Sequence, residues 1–173
     1  MPATIRQLTE VTRKDFAGLC DVLIDCVEGG ASVSFMKPMS RNKAESFWTP
    51  VVDEVVRGDR LLLVAEEAGE ILGTVQVVLK LPENQPHRGD VVKMLVRRSA
   101  RRRGLGAELL GAAEKAAVGS GRSLLVLDTV TGADGDRLYA RCGWQRSGDI
   151  PRFALLPDGG YCSTTVYYKW LGP

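Results

Sequence analysis

The chain has 173 residues, 45% of them hydrophobic and 25% charged, with a formal net charge of +2, the make-up of one globular domain with a full apolar core. So small an excess of positive charge argues against a dedicated nucleic-acid binder, and no apolar run approaches the roughly 20 residues of a membrane span. The amino terminus carries Arg6 and polar residues in place of an apolar leader core, so a cytoplasmic protein is expected, organised as a single domain over residues 1–173.

In chain order, Thr12-x-x-Asp15 has the form of a capping box, and Phe16, Leu19, Cys20, Leu23, Ile24 and Val27 keep one helical face apolar until Gly29-Gly30. Ser40 caps a second helix with Ala44, Phe47, Trp48, Val51, Val52 and Val55 inside, although Pro50 is expected to kink or split it. Leu61 to Ala65 and Ile71 to Leu79 flank a Glu67-Ala68-Gly69-Glu70 turn and predict an antiparallel hairpin. Leu81 to Gly89, with two prolines, reads as a loop. The run Val91 to Val96 predicts a buried strand, Leu105, Leu109, Ala112, Ala113 and Ala116 a helix, and Leu124 to Leu127 a further strand. A short helix carries Leu138 and Tyr139. A last hairpin joins Gln145 to Ile150 with Thr164 to Trp170, with Pro157-Asp158-Gly159-Gly160 as a turn signal between them.

The most informative stretch is Arg101-Arg102-Arg103-Gly104-Leu105-Gly106, set between strand and helix. Glycines there let a ligand approach the backbone, and the amides at the helix start converge on an anion. No Gly-Lys-Ser/Thr follows and the third glycine of a dinucleotide fingerprint is missing, so neither of those phosphate loops is present. The four cysteines, Cys20, Cys26, Cys142 and Cys162, lack Cys-x-x-Cys or Cys/His spacing; they read as reduced packing residues, and no metal is expected.

The Arg-x-x-Gly-x-Gly turn after a strand resembles the acetyl-CoA-binding motif of the GNAT superfamily of acyl-CoA N-acetyltransferases. A second block, Leu138-Tyr139-Ala140-Arg141-Cys142-Gly143-Trp144, is similar to that family's Leu-Tyr-x-x-x-Gly-Phe. Within the superfamily, residues 29–36, Leu127-Asp128-Thr129, Pro157-Asp158-Gly159 and 165–169 look like the tabtoxin-resistance group. The resemblance implies a mixed, mostly antiparallel α/β sheet of about seven strands flanked by about four helices. It also implies acetyl-CoA as co-substrate, with the pyrophosphate on the amides of Arg101, Arg102, Arg103, Gly104, Leu105, Gly106 and Ala107, and the pantetheine along the backbone of Met94, Leu95 and Val96. Gly132 and Gly135 depart from the family, which often has Asn and Ala near these positions.

Acetyl transfer requires an acid for the leaving thiolate and a neutral amine. Tyr139, in its Leu-Tyr-x-x-x-Gly-aromatic context, is the candidate acid: a phenol of pKa about 10 protonates a thiolate of pKa about 8.5 at a cost of roughly 2 kcal/mol. For the base, Asp128 at a strand end is preferred to Asp90, with a water as the third option, and His87 in its proline-flanked loop is set aside as solvated. Residues 29–36 read as a lid over the acceptor, Phe35 and Trp48 as an apolar wall, and Lys93 or an arginine as the partner of an acceptor carboxylate. Arg97, Arg98, Arg102 and Arg103 form a basic rim that steers a polyanion. The expected function is acetylation of a small amino-acid-like amine, or of an antibiotic or toxin, by a monomer or homodimer. A non-catalytic acyl-CoA sensor, a protein or peptide acetyltransferase and an arginine-cluster nucleic-acid binder stand as alternatives.

Overall fold

The computed structural model describes residues 2–172. Its elements are β1 (Thr4–Leu8), α1 (Arg13–Glu28), α2 (Arg41–Arg57), β2 (Arg60–Glu67), β3 (Glu70–Val78), β4 (Arg88–Val96), α3 (Leu105–Gly119), β5 (Leu124–Val130), α4 (Asp134–Arg141), β6 (Gln145–Leu155) and β7 (Tyr161–Trp170), with a single 3-10 turn at Arg98–Ala100. The strands form one seven-stranded sheet in the order β1-β2-β3-β4-β5-β7-β6. Only β4 and β5 run parallel, because α3 carries the chain back to the end of the sheet where β4 began.

The expected capping box closes α1: the Thr12 hydroxyl accepts from the Asp15 amide and the Asp15 carboxylate accepts from the Thr12 amide. Ser40 caps α2 through the Lys43 amide. Two apolar layers lie on opposite faces of the sheet. Leu61, Leu63, Val75, Leu109 and Leu125 belong to the layer under α3 and α4, whereas Leu62, Val64, Leu19, Leu23 and Trp48 belong to the layer under α1 and α2. Because side chains alternate along a strand, β2 feeds both layers, and this is why Leu61 to Ala65 is a continuous apolar run.

Several expectations need correction. Pro50 sits inside a continuous α2 on an exposed position; at such a position the missing amide costs one hydrogen bond without a buried clash. The loop expected to reach Gly89 ends at His87, since Arg88 and Gly89 already pair with Leu124 and Leu125. β1 has no counterpart in the sequence reading: only Ile5 and Leu8 of its five residues turn inward, too few to show a period. Trp48 is fully buried in the core, and its place on the wall is taken by Phe47, which meets the Phe35 ring edge-on at 5.4 Å.

Candidate active site

β4 and β5 share a ladder only from Arg88–Leu124 to Asp90–Val126 and then part. On its other side β4 stays bonded to β3, but through a bulge: Thr74 to Gln76 on β3 spans Leu95 to Val92 on β4, one residue more. The extra residue is accommodated at Lys93, which has φ +52°. The bulge turns β4 away from β5, so Val91 to Val96 and Leu127 to Val130 line a gap that widens toward the carboxyl ends of both strands. Leu95 is buried in the α1–α2 layer, while Met94 and Val96 pack against the opposite layer; it is their backbone that can offer hydrogen bonds at the gap.

At the wide end, Gly104 takes φ +85° and α3 starts at Leu105 with no side-chain cap. Glu108 is the first amide of the helix to find a backbone acceptor, the Gly104 carbonyl at 3.1 Å. The amides of residues 102–107 have no backbone partner among the described residues, an arrangement suited to an anion such as a pyrophosphate. Gly106 permits close packing beneath it, since a Cβ there would stand 3.1 Å from Leu138 of α4. α4 also starts beside the cradle, because Arg102 and Arg101 help hold the Asp134 carboxyl below its usual range, after its closer partner Arg137.

The basic rim is largely neutralised. Arg98 pairs with Asp25 at 2.9 Å, Arg103 with Glu67 at 2.5 Å and Arg97 with Asp21 at 3.6 Å. Arg101 donates to the Val96 carbonyl at 3.3 Å. Of the rim, only Arg102 has no side-chain partner among the described residues, and its backbone is left-handed, with φ +61°.

Tyr139 of α4 is buried, its ring 5.9 Å from that of Trp144 and 6.0 Å from that of Tyr167. Its hydroxyl makes no hydrogen bond among the described residues, in contrast to Tyr167, which donates to Asp136 at 2.5 Å. Burial, and then the charge of Asp128, raises the Tyr139 pKa. Asp128 lies exposed near the end of β5, and one of its carboxylate oxygens accepts from Thr164 at 2.7 Å. Asp128 also acts on Lys93 and Asp90 of β4. Burial and then the Arg60 charge lower the Lys93 pKa while Asp128 raises it. Burial raises that of Asp90, which Arg88 counters by ion pairing and Asp128 reinforces. The charge of Asp128 is thus felt by Tyr139, Asp90 and Lys93 alike. His87 is exposed, and its carbonyl is taken up by Ser123 and Leu124.

Residues 29–40 form a strap across the mouth. The Lys93 ammonium donates to the Ser34 hydroxyl at 3.0 Å and lies 5.5 Å from the Phe47 ring centre. On the far side, Ser32 donates to the Leu155 carbonyl at 3.1 Å, the Lys37 amide to the Pro157 carbonyl at 3.0 Å, and Lys37 pairs with Asp158 at 3.1 Å. Phe35 is half-buried on the strap and borders a depression of about 440 Å³ with Asn42, Lys43, Ser46 and Phe47. Ser34 falls within the lid expected at residues 29–36, but its contact with Lys93 was not readable, and Thr164 was invisible as a site residue, because both contacts join distant parts of the chain.

The two departures from the family pattern have local causes. A Cβ on Gly135 would stand 2.7 Å from the Thr129 hydroxyl oxygen, and Gly132 has φ +76° while its amide donates to Asp136 at 2.7 Å.

A split parallel strand pair with free helix-start amides at its wide end fits the acyl-CoA-dependent transferase that the two motif blocks imply, and comparison with known proteins agrees. The profile of the Acetyltransferase (GNAT) family matches residues 30–144, and the chain belongs to that family. It is 31% identical over 127 residues to an uncharacterized N-acetyltransferase encoded in the hisH-hisA intergenic region of Azospirillum brasilense, covering 72% of this chain and 74% of that one. Among solved structures, an N-acetyltransferase from Staphylococcus aureus Mu50 superposes with a TM-score of 0.81 at 19% identity, covering 99% of this chain and 100% of that one. The proposed acetyltransferase yncA from Salmonella typhimurium, solved with its cofactor acetyl-CoA, superposes with a TM-score of 0.80 at 18% identity, covering 100% of this chain and 96% of that one. The chain is an acetyl-CoA-dependent N-acetyltransferase. No described helix is long and apolar enough to cross a membrane.

Proposed function

We propose that this N-acetyltransferase, a single domain, acts on the primary amine of a small molecule, amino-acid-like or an antibiotic or toxin, as the resemblance to the tabtoxin-resistance group suggests. The observation that carries the reading is the pairing of a buried phenol, whose hydroxyl has no partner among the described residues, with an exposed carboxylate whose charge helps raise its pKa after burial. Bound with its pyrophosphate on the amides of Arg102 to Ala107, the Arg101 amide expected to join them being taken by the Arg98 carbonyl at 3.4 Å, and with its pantetheine along Met94 to Val96, acetyl-CoA supplies the thioester carbonyl that the amine attacks. Asp128 receives the acceptor ammonium and takes its proton, directly or through a water. Tyr139 gives its proton to the departing sulfur and regains one from the attacking nitrogen, which sheds its surplus proton, directly or through a water, as the amide forms. The raised pKa keeps the phenol in its acid form, and the burial that raises it disfavours a thiolate in the same place, so the proton still moves in the required direction.

The strap supports a small acceptor. Phe35 and Phe47 give an apolar wall, Lys93 offers an ammonium to an acceptor carboxylate, and Asp90 reinforces the negative end of the gap. A cytoplasmic location and a monomer or homodimer complete the reading. A thiol-release screen with acetyl-CoA across free amino acids, β-lactam-like amines, polyamines and peptides tests it. Highest kcat/KM on a free amino acid or β-lactam-like amine is the expected result; far higher values on peptides or protein tails overturn the small-acceptor reading and leave the N-acetyltransferase assignment standing.

A further inference from the structure

Thr164 of β7 is buried, and its hydroxyl oxygen lies 2.7 Å from the Asp128 carboxylate and 3.0 Å from the Thr129 carbonyl. A hydroxyl has a single proton, so it can donate to only one of these acceptors at a time, yet its lone pairs let it accept as well. The neighbouring Thr165 shows how differently such a group is placed on the other face of the strand. Its hydroxyl meets Asp149 at 2.8 Å and Thr131 at 2.9 Å and does not touch Asp128.

We infer that Thr164 is a positioning residue for the base, a hydroxyl that reverses its hydrogen bond as Asp128 gains and loses the acceptor's proton. This rests on Asp128 serving as the base. With Asp128 ionised, Thr164 donates to the carboxylate and holds it in one rotamer beside the gap. When the acceptor's ammonium gives up a proton, an N–H bond breaks and an O–H bond forms on the carboxylate oxygen nearest Thr164. That new O–H donates to the Thr164 oxygen, and the Thr164 proton turns to the Thr129 carbonyl. No covalent bond of Thr164 changes. Both states of the carboxyl are hydrogen-bonded, so proton uptake strands no polar group. Asp128 then returns its proton to solvent, to which it is exposed.

The charged groups facing Asp128 from its surroundings are Lys93 and Asp90 on β4, with the phenol of Tyr139 on α4. From β7 it meets Thr164 and, across the ladder, Val166, so the hydroxyl is the only polar contribution of that strand's side chains at this point among the described residues. A bond to the ionised carboxylate is stronger than one to the neutral acid, so the hydroxyl holds Asp128 most firmly in the state that receives the ammonium.

The experiment uses steady-state kinetics of the full chain with the best amine of the screen above. Thr164→Val should lower kcat/KM for the amine by about threefold to tenfold while KM for acetyl-CoA stays unchanged. Thr164→Ser, which keeps the hydroxyl, should restore the rate, and Thr165→Val should leave it in place. Adding Thr164→Val to Asp128→Asn should change nothing further. An unmoved kcat/KM in Thr164→Val, or an equal loss in Thr165→Val, overturns the inference while leaving Asp128 as base if Asp128→Asn is impaired. Full activity in Asp128→Asn instead removes the base itself, and the inference with it.

Discussion

In the proposed mechanism Tyr139 and Asp128 divide the proton chemistry by environment. Tyr139→Phe removes only the hydroxyl and keeps the ring contacts with Trp144 and Tyr167, so kcat should fall by about 10²-fold or more with CoA affinity little changed. Unchanged kcat under conditions where chemistry limits the rate would make the phenol a packing residue. Because burial and then Asp128 raise its pKa, Tyr139 stays protonated through the working range. Any alkaline fall of rate below about pH 10 should therefore persist in Tyr139→Phe. Asp128→Asn should raise KM for the amine and lower kcat most at low pH, where the acceptor is mainly protonated; initial rates across pH with the screened amine check this. The placement of both was legible in the sequence, Tyr139 on a short helix and Asp128 near a strand end. Trp48 and Phe47 show the limit, since both fit the apolar helical stripe of α2 and only packing decides which of the two reaches the core.

At the scale of elements, the cradle depends on backbone shape more than on side-chain charge. A Cβ on Gly104 would meet only Glu108, at 3.7 Å, but the residue sits at φ +85°, where a β-branched side chain is strongly disfavoured. Gly104→Val should therefore distort the start of α3, scatter the free amides and weaken CoA binding by about tenfold or more, as read by calorimetric titration. Near-wild-type affinity in a folded variant would remove the basis for placing the pyrophosphate here. The glycine spacing and the flanking strand and helix were readable because they are local. The pairing of Arg97, Arg98 and Arg103 with carboxylates was not, because Asp21, Asp25 and Glu67 lie far away in the chain and arrive through α1 and the β2–β3 turn.

For the whole molecule, Arg6 ties three elements together: from β1 it reaches Asp15 of α1 at 2.8 Å and Glu66 of β2 at 2.5 Å. Burial pushes the Asp15 carboxyl up, but the Thr12 hydroxyl and the Arg6 guanidinium together outweigh it and hold the pKa below its ordinary value. A carboxyl depressed on folding adds stability above its unfolded pKa of about 4, which is lost as pH falls through the folded value. Asp15→Asn should therefore lower the melting temperature at neutral pH by roughly 2–4 °C, with loss of the cap included, and the difference from wild type should shrink in acid. Thermal unfolding of both proteins at several pH values decides it, and a difference independent of pH would assign the effect to the cap geometry alone.

The sequence by itself determined which segments other than β1 become helices and strands, where α1 and α2 begin, and that a glycine-rich turn stands at the start of α3, because capping, periodicity and turn chemistry act between residues a few positions apart. It also carried the family, through two local blocks. Only the tertiary structure decided that β7 lies inside the sheet with β6 at the edge, that β4 and β5 part after three paired positions, and that Thr164 and Ser34 reach Asp128 and Lys93. Those are matters of register between segments brought together by burial of two apolar layers, and a one-residue slip in any strand would turn the same side chains to the other face.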